Sequence, residues 1–314
     1  MSSMSYEVVA TTSETKDVKR IELKPVVQIP MAWRAGAHVR VSLTGGGDRA
    51  YSLLRLPTLP KGHIVLGVLR EKQSAGGSKF MHALKPGDKL KVSNPNNLFE
   101  LADHAAPSIL IAGGIGITPI LSMAAELTQA GRPFEAHYAG RTEGVLAFVP
   151  EMTEICGDAL SLHYDDQLNA MDIRAILSDA AEGAHVYFCG PAGMIEAIKS
   201  IAADLGWPNT RIHYELFAAD VDHASDAAFD VEIYATGQVV HIPADKSIIE
   251  ALEEAGLDPL YDCQRGDCGI CQCDVIEGIP DHRDVILTDD ERAANDVMQI
   301  CVSRSKSPKL VIDI

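Results

Sequence analysis

The first hundred residues alternate apolar and polar positions in short runs broken by Gly and Pro. "YEVVATTSE", "VKRIELKPV", "AHVRVSLTG", "HIVLGVLRE" and "DKLKVSNP" each fit a half-buried strand. Many short strands in so little chain predict a small antiparallel β-barrel over 1–104. The texture then changes. "SILIAGG", "FEAHYAG" and "HVYFCGP" are strand-like, and they alternate with the helical patterns "TPILSMAAELTQAG" and "GMIEAIKSIAADLG". This order predicts an α/β domain with a parallel sheet over 105–217. The weakly hydrophobic stretch 218–228, "AADVDHASDAA", suits an inter-domain linker. Residues 229–314 offer a strand pair, the acidic helix "SIIEALEEAG", a cysteine-rich loop and the closing strand "KLVIDI", an α+β pattern. The expected fold class is thus multi-domain, without internal repeats: barrel, α/β, small α+β.

Composition adds little to this for a chain of 314 residues with 46% apolar and 23% charged residues. Charge adds more. A formal charge of −17 argues against nucleic acid and anionic membranes as partners. The acid is concentrated: residues 229–314 carry 18 Asp and Glu against 7 Lys and Arg, which suits a basic patch on another protein. Residues 105–125 hold no charge and are long enough to cross a bilayer. They contain three glycines and Pro119, however, and divide into a strand-like and a helix-like half, so no membrane span is expected. The N-terminus lacks the apolar core of a secretory signal. Seven cysteines without such a signal point to a reducing, cytoplasmic setting, where clustered thiols more often hold metal than form disulfides.

The candidate chemistry starts at "YDCQRGDCGICQCD". Cys263, Cys268 and Cys271 have the spacing C-x4-C-x2-C, and Cys301 follows after 29 intervening residues, the spacing of plant-type [2Fe–2S] ligands. Gly266 and Gly269 would let the backbone turn close to such a cluster. Zinc fits less well because one ligand stands alone. A redox dithiol would want a single C-x-x-C ahead of a helix. Cys273 and Cys156 are expected to be packing thiols.

Two glycine-rich turns sit in the α/β part. "AGGIGITP", between a strand and a helix, can face a pyrophosphate with backbone N–H groups, although it departs from G-x-G-x-x-G by ending in Thr118-Pro119. "CGPAGM" ends a later strand. G-x-G-x-x-P after a barrel resembles the nucleotide domain of the ferredoxin–NADP reductase superfamily, and "RAYSL" resembles that superfamily's flavin motif R-x-Y-S. The last ~85 residues resemble a plant-type ferredoxin of the β-grasp type. The order of the three modules is similar to that of the phthalate dioxygenase reductase and vanillate demethylase reductase type.

That resemblance implies roles. Arg49, Tyr51, Ser52, Leu53, Gly67, Val68, Gly76, Gly77, Ser78, Thr118 and Phe217 would contact FMN, with Arg49 and the Gly76–Ser78 turn on its phosphate and Ser52 at its N5 edge. Gly113, Gly114, Gly116, Thr118, Pro119, Arg141, Cys189, Gly190, Pro191 and Met194 would bind NADH. Ser52 and Cys189 would stand nearest the hydride. The implied activity is electron delivery from NADH through FMN and a [2Fe–2S] cluster to a separate terminal oxygenase of Rieske type, by a monomer. Two alternatives remain: a cytochrome P450 or diiron acceptor, and a zinc-stabilised interaction module on a degenerate reductase scaffold.

Overall fold

A computed structural model describes residues 3–27, 32–44, 47–71, 76–217, 226–266 and 268–314. Most of the expected linker, 218–225, therefore lies outside the described residues. The chain divides into two compact units, Met1–Glu215 and Leu216–Ile314.

In the first unit, strands β1 (Ser3–Ser13), β2 (Val18–Pro25), β3 (Ala37–Ser42), β4 (Asp48–Leu54), β5 (Ile64–Leu69), β6 (Lys89–Ser93) and β7 (Asn96–Asn97) form one antiparallel sheet. Its order is β4-β5-β2-β1-β6-β3-β7, and β3 pairs back onto β4, which closes a barrel. The alternating runs supply its interior: Tyr6, Val8, Ile21, Leu23, Val39, Val41, Leu66, Val68 and Val92 are buried together. A short helix, α1 (Gly77–Ala83), joins β5 to β6.

The parallel sheet follows: β8 (Ser108–Gly113), helix α2 (Ile117–Ala130), β9 (Phe134–Gly140), α3 (Val149–Cys156), β10 (Leu160–Tyr164), α4 (Ile173–Ser178), β11 (His185–Cys189), α5 (Ala192–Asp204) and β12 (Ile212–Glu215). The order β10-β9-β8-β11-β12 is all parallel. Every residue of β8 is buried, as in a central strand covered on both faces. The uncharged stretch 105–125 is thus split between β8 and α2, and among the described residues no helix is long and apolar enough to cross a membrane.

Polar bonds fasten α2 to the barrel. Ser122 Oγ donates to Leu53 O at 2.7 Å and accepts from Arg55 N at 2.9 Å. Glu126 takes bonds from Arg34 and from Ala35 N.

Five histidines of this unit are paired or stacked. His104 and His185 lie 3.7 Å apart, centroid to centroid; His185 Nδ1 is 2.9 Å from His213 Nε2, and His137 Nδ1 is 3.1 Å from His163 Nε2. Burial first, and neighbouring imidazoles second, lower His137 and His185 from 6.5 to about 4. Burial likewise lowers His104, His163 and His213. The unfolded chain therefore binds more protons than the native one below pH 6.5. Native stability should be constant above that pH and fall as pH drops towards about 4. Thermal midpoints measured from pH 7.5 to 4.5 check this; a midpoint flat down to pH 5 would contradict it.

The second unit has a five-stranded mixed sheet of order β14-β13-β19-β15-β17. It is built from β13 (Phe229–Ile233), β14 (Val239–Ile242), β15 (Gln272–Glu277), β17 (Val297–Gln299) and β19 (Lys309–Asp313), with β16 (Pro280–Asp281) pairing β18 (Arg304–Ser305). Helix α6 (Ile248–Glu254) starts at a capping box between Ser247 and Glu250 and buries Ile248, Ile249, Ala251 and Leu252 in this core. Thr288 and Glu291 form a second box ahead of α7 (Asp289–Ala294).

Candidate functional site

Three clusters of side chains gather the residues that the motifs singled out. The first lies along β4, β5 and α1. Arg49 leaves β4 with Nη1 donating to Asp48 O at 2.7 Å, and its side chain lies over Gly77. A Cβ at Gly77 would stand 2.8 Å from Arg49 Cγ, so only glycine admits the arginine there. Gly76 precedes it at φ 110°, and Ser78 Oγ accepts from Glu71 N at 3.2 Å. Two residues past Arg49, burial pushes the Tyr51 phenol up to about 12, against the opposing pull of Arg49. Ser52 is buried and its Oγ has no hydrogen-bond partner. An orphaned hydroxyl in a barrel wall is costly unless something polar meets it. Gly67 on β5 faces Thr118 Cγ2 and the Phe148 ring, where a Cβ would approach to 2.7 and 2.9 Å. The buried Leu53 and Val68 flank these positions, with the Val68 carbonyl accepting from His82 at 2.9 Å. Arginine, small cradle and unpaired hydroxyl together fit a flavin phosphate and a ring edge.

The second cluster lies where the strand order of the parallel sheet reverses. β8 and β11 are neighbours although β9 and β10 come between them in sequence, and the loops at their carboxyl ends face each other at the position of the ligand crevice of open α/β sheets. Both loops are glycine-walled. A Cβ on Gly116 would sit 2.1 Å from the Cys189 carbonyl oxygen, and one on Gly190 would sit 2.3 Å from Met194 Cε. Gly113 faces Met194 and Pro191, while Gly114 turns at φ 53°. Thr118 Oγ1 donates to Ile115 O at 3.1 Å, and Pro119 sits in the first turn of α2, where its missing N–H costs nothing. Cys189 is fully buried at the end of β11. Arg141 is exposed beyond β9, its carbonyl accepting from Asp166 N at 3.2 Å. Two glycine-rich loops at a strand-order switch point, one of them leading into the N-terminus of α2, fit the place where an open α/β sheet takes a dinucleotide.

The third cluster is in the second unit. The thiol of Cys263 is within hydrogen-bond reach of Cys268 and Cys301, and Cys301 reaches Cys271. Cys263, Cys271 and Cys301 are buried, and Cys268 is partly exposed. Hydrogen bonds to Cys263 and Cys271 push the Cys301 thiol far up, a bond with Cys263 raises Cys268, and the bond from Cys301 lowers Cys271. Four such groups cannot all ionise without a cationic centre among them, and two irons would supply one. The loop is shaped for it. Gly266 turns at φ 79°, and a Cβ there would lie 2.6 Å from Val302 Cγ2 and 2.9 Å from Asp284 Cα. Arg265 N donates to Cys263 Sγ at 3.3 Å, and Ile300 N donates to Cys271 O, fastening the loop to the Cys301 segment. Among the described residues no three His, Cys, Asp or Glu side chains form a group that could hold a metal ion, so the iron–sulfur assignment rests on thiol chemistry, loop shape and likeness rather than on preset coordination. Cys273 points into the core from β15, and Cys156 is buried on α3 with its thiol raised to about 12 by burial.

Phe217, the last residue of the expected α/β domain, falls in the second unit, and its ring centroid lies 6.0 Å from Arg265 Cζ. Several residues escape sequence reasoning: Tyr138, Phe148 and Ser122. Asp284 is buried, accepts from Leu287 N at 2.9 Å and pairs with Arg292 beside the thiol loop. No periodicity or motif marks Tyr138, Phe148 or Ser122, because they meet Gly114, Gly67 and Leu53, remote from them in sequence.

Known proteins match this layout. A model of the 2Fe-2S iron-sulfur cluster binding domain matches residues 231–306, and one of the oxidoreductase NAD-binding domain matches residues 110–200. Vanillate O-demethylase oxidoreductase of Pseudomonas sp. (strain HR199 / DSM 7063) is 43% identical over 286 residues, 89% of this chain and 90% of that protein. Phenoxybenzoate dioxygenase subunit beta of Ectopseudomonas oleovorans is 38% identical over 317 residues, 100% of this chain and 98% of that protein. The solved structure of phthalate dioxygenase reductase, described as modular for electron transfer from pyridine nucleotides to [2Fe-2S], superposes with a TM-score of 0.83 at 33% identity and covers 99% of this chain and 98% of that one. With barrel, parallel sheet and thiol loop in the same order and at these identities, the chain belongs to the family of modular oxidoreductases that includes phthalate dioxygenase reductase and the vanillate O-demethylase oxidoreductases.

Proposed function

We propose that this protein is the NADH-dependent reductase component of a two-part oxygenase, holding FMN and a [2Fe–2S] cluster and feeding a separate terminal oxygenase of Rieske type. The observation that carries the reading is the presence, on one chain, of glycine-walled loops at a sheet switch point and of four cysteines linked in a row, Cys268 to Cys263, Cys263 to Cys301 and Cys301 to Cys271. Bound flavin supplies acceptance of a two-electron hydride and its release one electron at a time, and the cluster supplies single-electron transfer. The chain supplies position and charge. The planar fork of Arg49 meets the flavin phosphate with the Gly76–Ser78 turn. Ser52 Oγ would donate towards the ring edge that receives hydride, beside Tyr51, Leu53, Gly67, Val68 and Thr118. Gly113, Gly114, Gly116, Thr118 and Pro119 on one side, and Cys189, Gly190, Pro191 and Met194 on the other, hold the dinucleotide, with Arg141 at its adenosine end. Cys263, Cys268, Cys271 and Cys301 hold the irons as thiolates. The acidic second unit would meet a basic face of the oxygenase, so turnover with that partner should weaken with salt; a rate unchanged from low to high salt would count against this docking.

Anaerobic titration of the purified protein with NADH tests the reading. Flavin and iron–sulfur absorbance should both be present, and both should bleach. A colourless, zinc-containing protein would overturn it. Retention of either band after excess NADH would break the proposed sequence of centres.

A further inference from the structure

The segment Leu146–Phe148, between β9 and α3, packs on the end of β9 and on the flavin strand β5, and reaches the nucleotide loop through Tyr138. At its start, Leu146 Cδ2 fills the space over Gly140 at the end of β9, where a Cβ would come within 2.4 Å. In its middle, Ala147 N donates to the Tyr138 hydroxyl at 3.0 Å, and the same hydroxyl donates to the carbonyl of Gly114, in the nucleotide loop, at 3.1 Å. Tyr138 is fully buried, and burial pushes its phenol up, so this hydroxyl stays protonated and keeps both bonds. At its end, Phe148 presses its ring on Gly67 of β5 beside Thr118. Arg20 of β2 stacks over the other part of that ring at 5.1 Å and pairs with both Glu14 and Glu151.

Phe148 holds this place at φ 60°, one of three non-glycine residues with positive φ among those described. A bulky residue in the left-handed region is strained and persists only where its surroundings over-determine it. Nothing in the capping of α3 requires it, since Phe148 makes no side-chain cap bond. What the conformation achieves is to aim the ring at Gly67 while Ala147 keeps its bond to Tyr138.

We propose that Tyr138 and Phe148 are positioning residues that fix the nucleotide loop at Gly114 relative to the flavin strand at Gly67, and so set the approach of the nicotinamide to the flavin. The inference rests on the reading above. Neither side chain need touch a reacting atom. Their effect is on geometry, to which hydride transfer is steeply sensitive, because a misplacement of about 1 Å can cost a hundredfold.

Tyr138→Phe removes one oxygen and leaves Gly114 O and Ala147 N without their shared partner. Phe148→Leu keeps the site apolar but withdraws the ring from Gly67. Amide hydrogen exchange of flavin-free protein is the first readout. In Tyr138→Phe, faster exchange should reach beyond Ala147 into Gly113–Ile117. In stopped-flow mixing with NADH, the limiting rate of flavin bleaching should fall about tenfold in each variant, with the dissociation constant for NADH within about twofold of wild type. The long-wavelength charge-transfer absorbance of the mixed complex should weaken in parallel. Exchange confined to Ala147 together with an unchanged bleaching rate would overturn the proposal, and so would a loss expressed only in NADH affinity. If Tyr138→Phe fails to fold, Phe148→Leu decides alone by the same rate and charge-transfer criteria. A wild-type protein that NADH does not bleach would instead sink the underlying functional reading, so the two failures are told apart.

Discussion

Cys301→Ser is expected to abolish electron delivery to the terminal oxygenase while leaving NADH-driven reduction of ferricyanide within about twofold of wild type. Three of the four thiols come from one loop, and Cys301 alone comes from the turn after β17. Replacing it leaves a harder, more basic oxygen donor in a buried position, where the neighbouring Cys271 and Cys263 lose their bonded partner. Iron content should fall, and the cluster's visible absorbance should vanish or shift. The crevice and the Arg49–Ser52 cradle belong to the other compact unit, so hydride acceptance should survive. Rates with ferricyanide and with oxygenase, measured on the same preparation, check the split. Loss of both activities with flavin still bound would refute it.

Gly116→Ala should be as damaging at the opposite end of the electron path. A Cβ there would lie 2.1 Å from the Cys189 carbonyl oxygen and 2.4 Å from its carbon, distances no real contact permits. Both obstacles are backbone, so no rotamer change relieves them. The two loops must part, widening the crevice at the point where the pyrophosphate and nicotinamide would lie. Opening of about 1 Å should lower flavin reduction by roughly a hundredfold, with flavin content preserved. Stopped-flow bleaching by NADH measures it directly; a rate within threefold of wild type would mean that the loops do not meet at the bound dinucleotide.

Much of the architecture was legible because it rests on period and punctuation. The alternating runs of β2 and β6 became barrel strands, and the uncharged β8 became a central strand under two helical layers. The pair β13 and β14 became an antiparallel hairpin. The short elements α3, α4, β10, β15 and β16 carry too little pattern to stand out; β10, for instance, buries none of its five residues fully. At the candidate site, motif residues were legible because cofactor chemistry demands particular atoms at particular spacings. Tyr138 and Phe148 were not: one presents a hydroxyl to a carbonyl 24 residues away, and the other holds a backbone angle that no local signal predicts. Gly67 gave no sign of its reason either, since the obstacles that forbid a side chain there come from Thr118 and Phe148, both remote in sequence.

The separation of Cys301 from its three companions also bears on how the protein matures. Its position becomes available only when β17 has docked beside β15, so iron can be captured completely only by a chain that has already threaded its last strands together. Iron starvation should therefore deplete the second unit from the cell by proteolysis sooner than the first, because inserted metal locks the fold that created its berth.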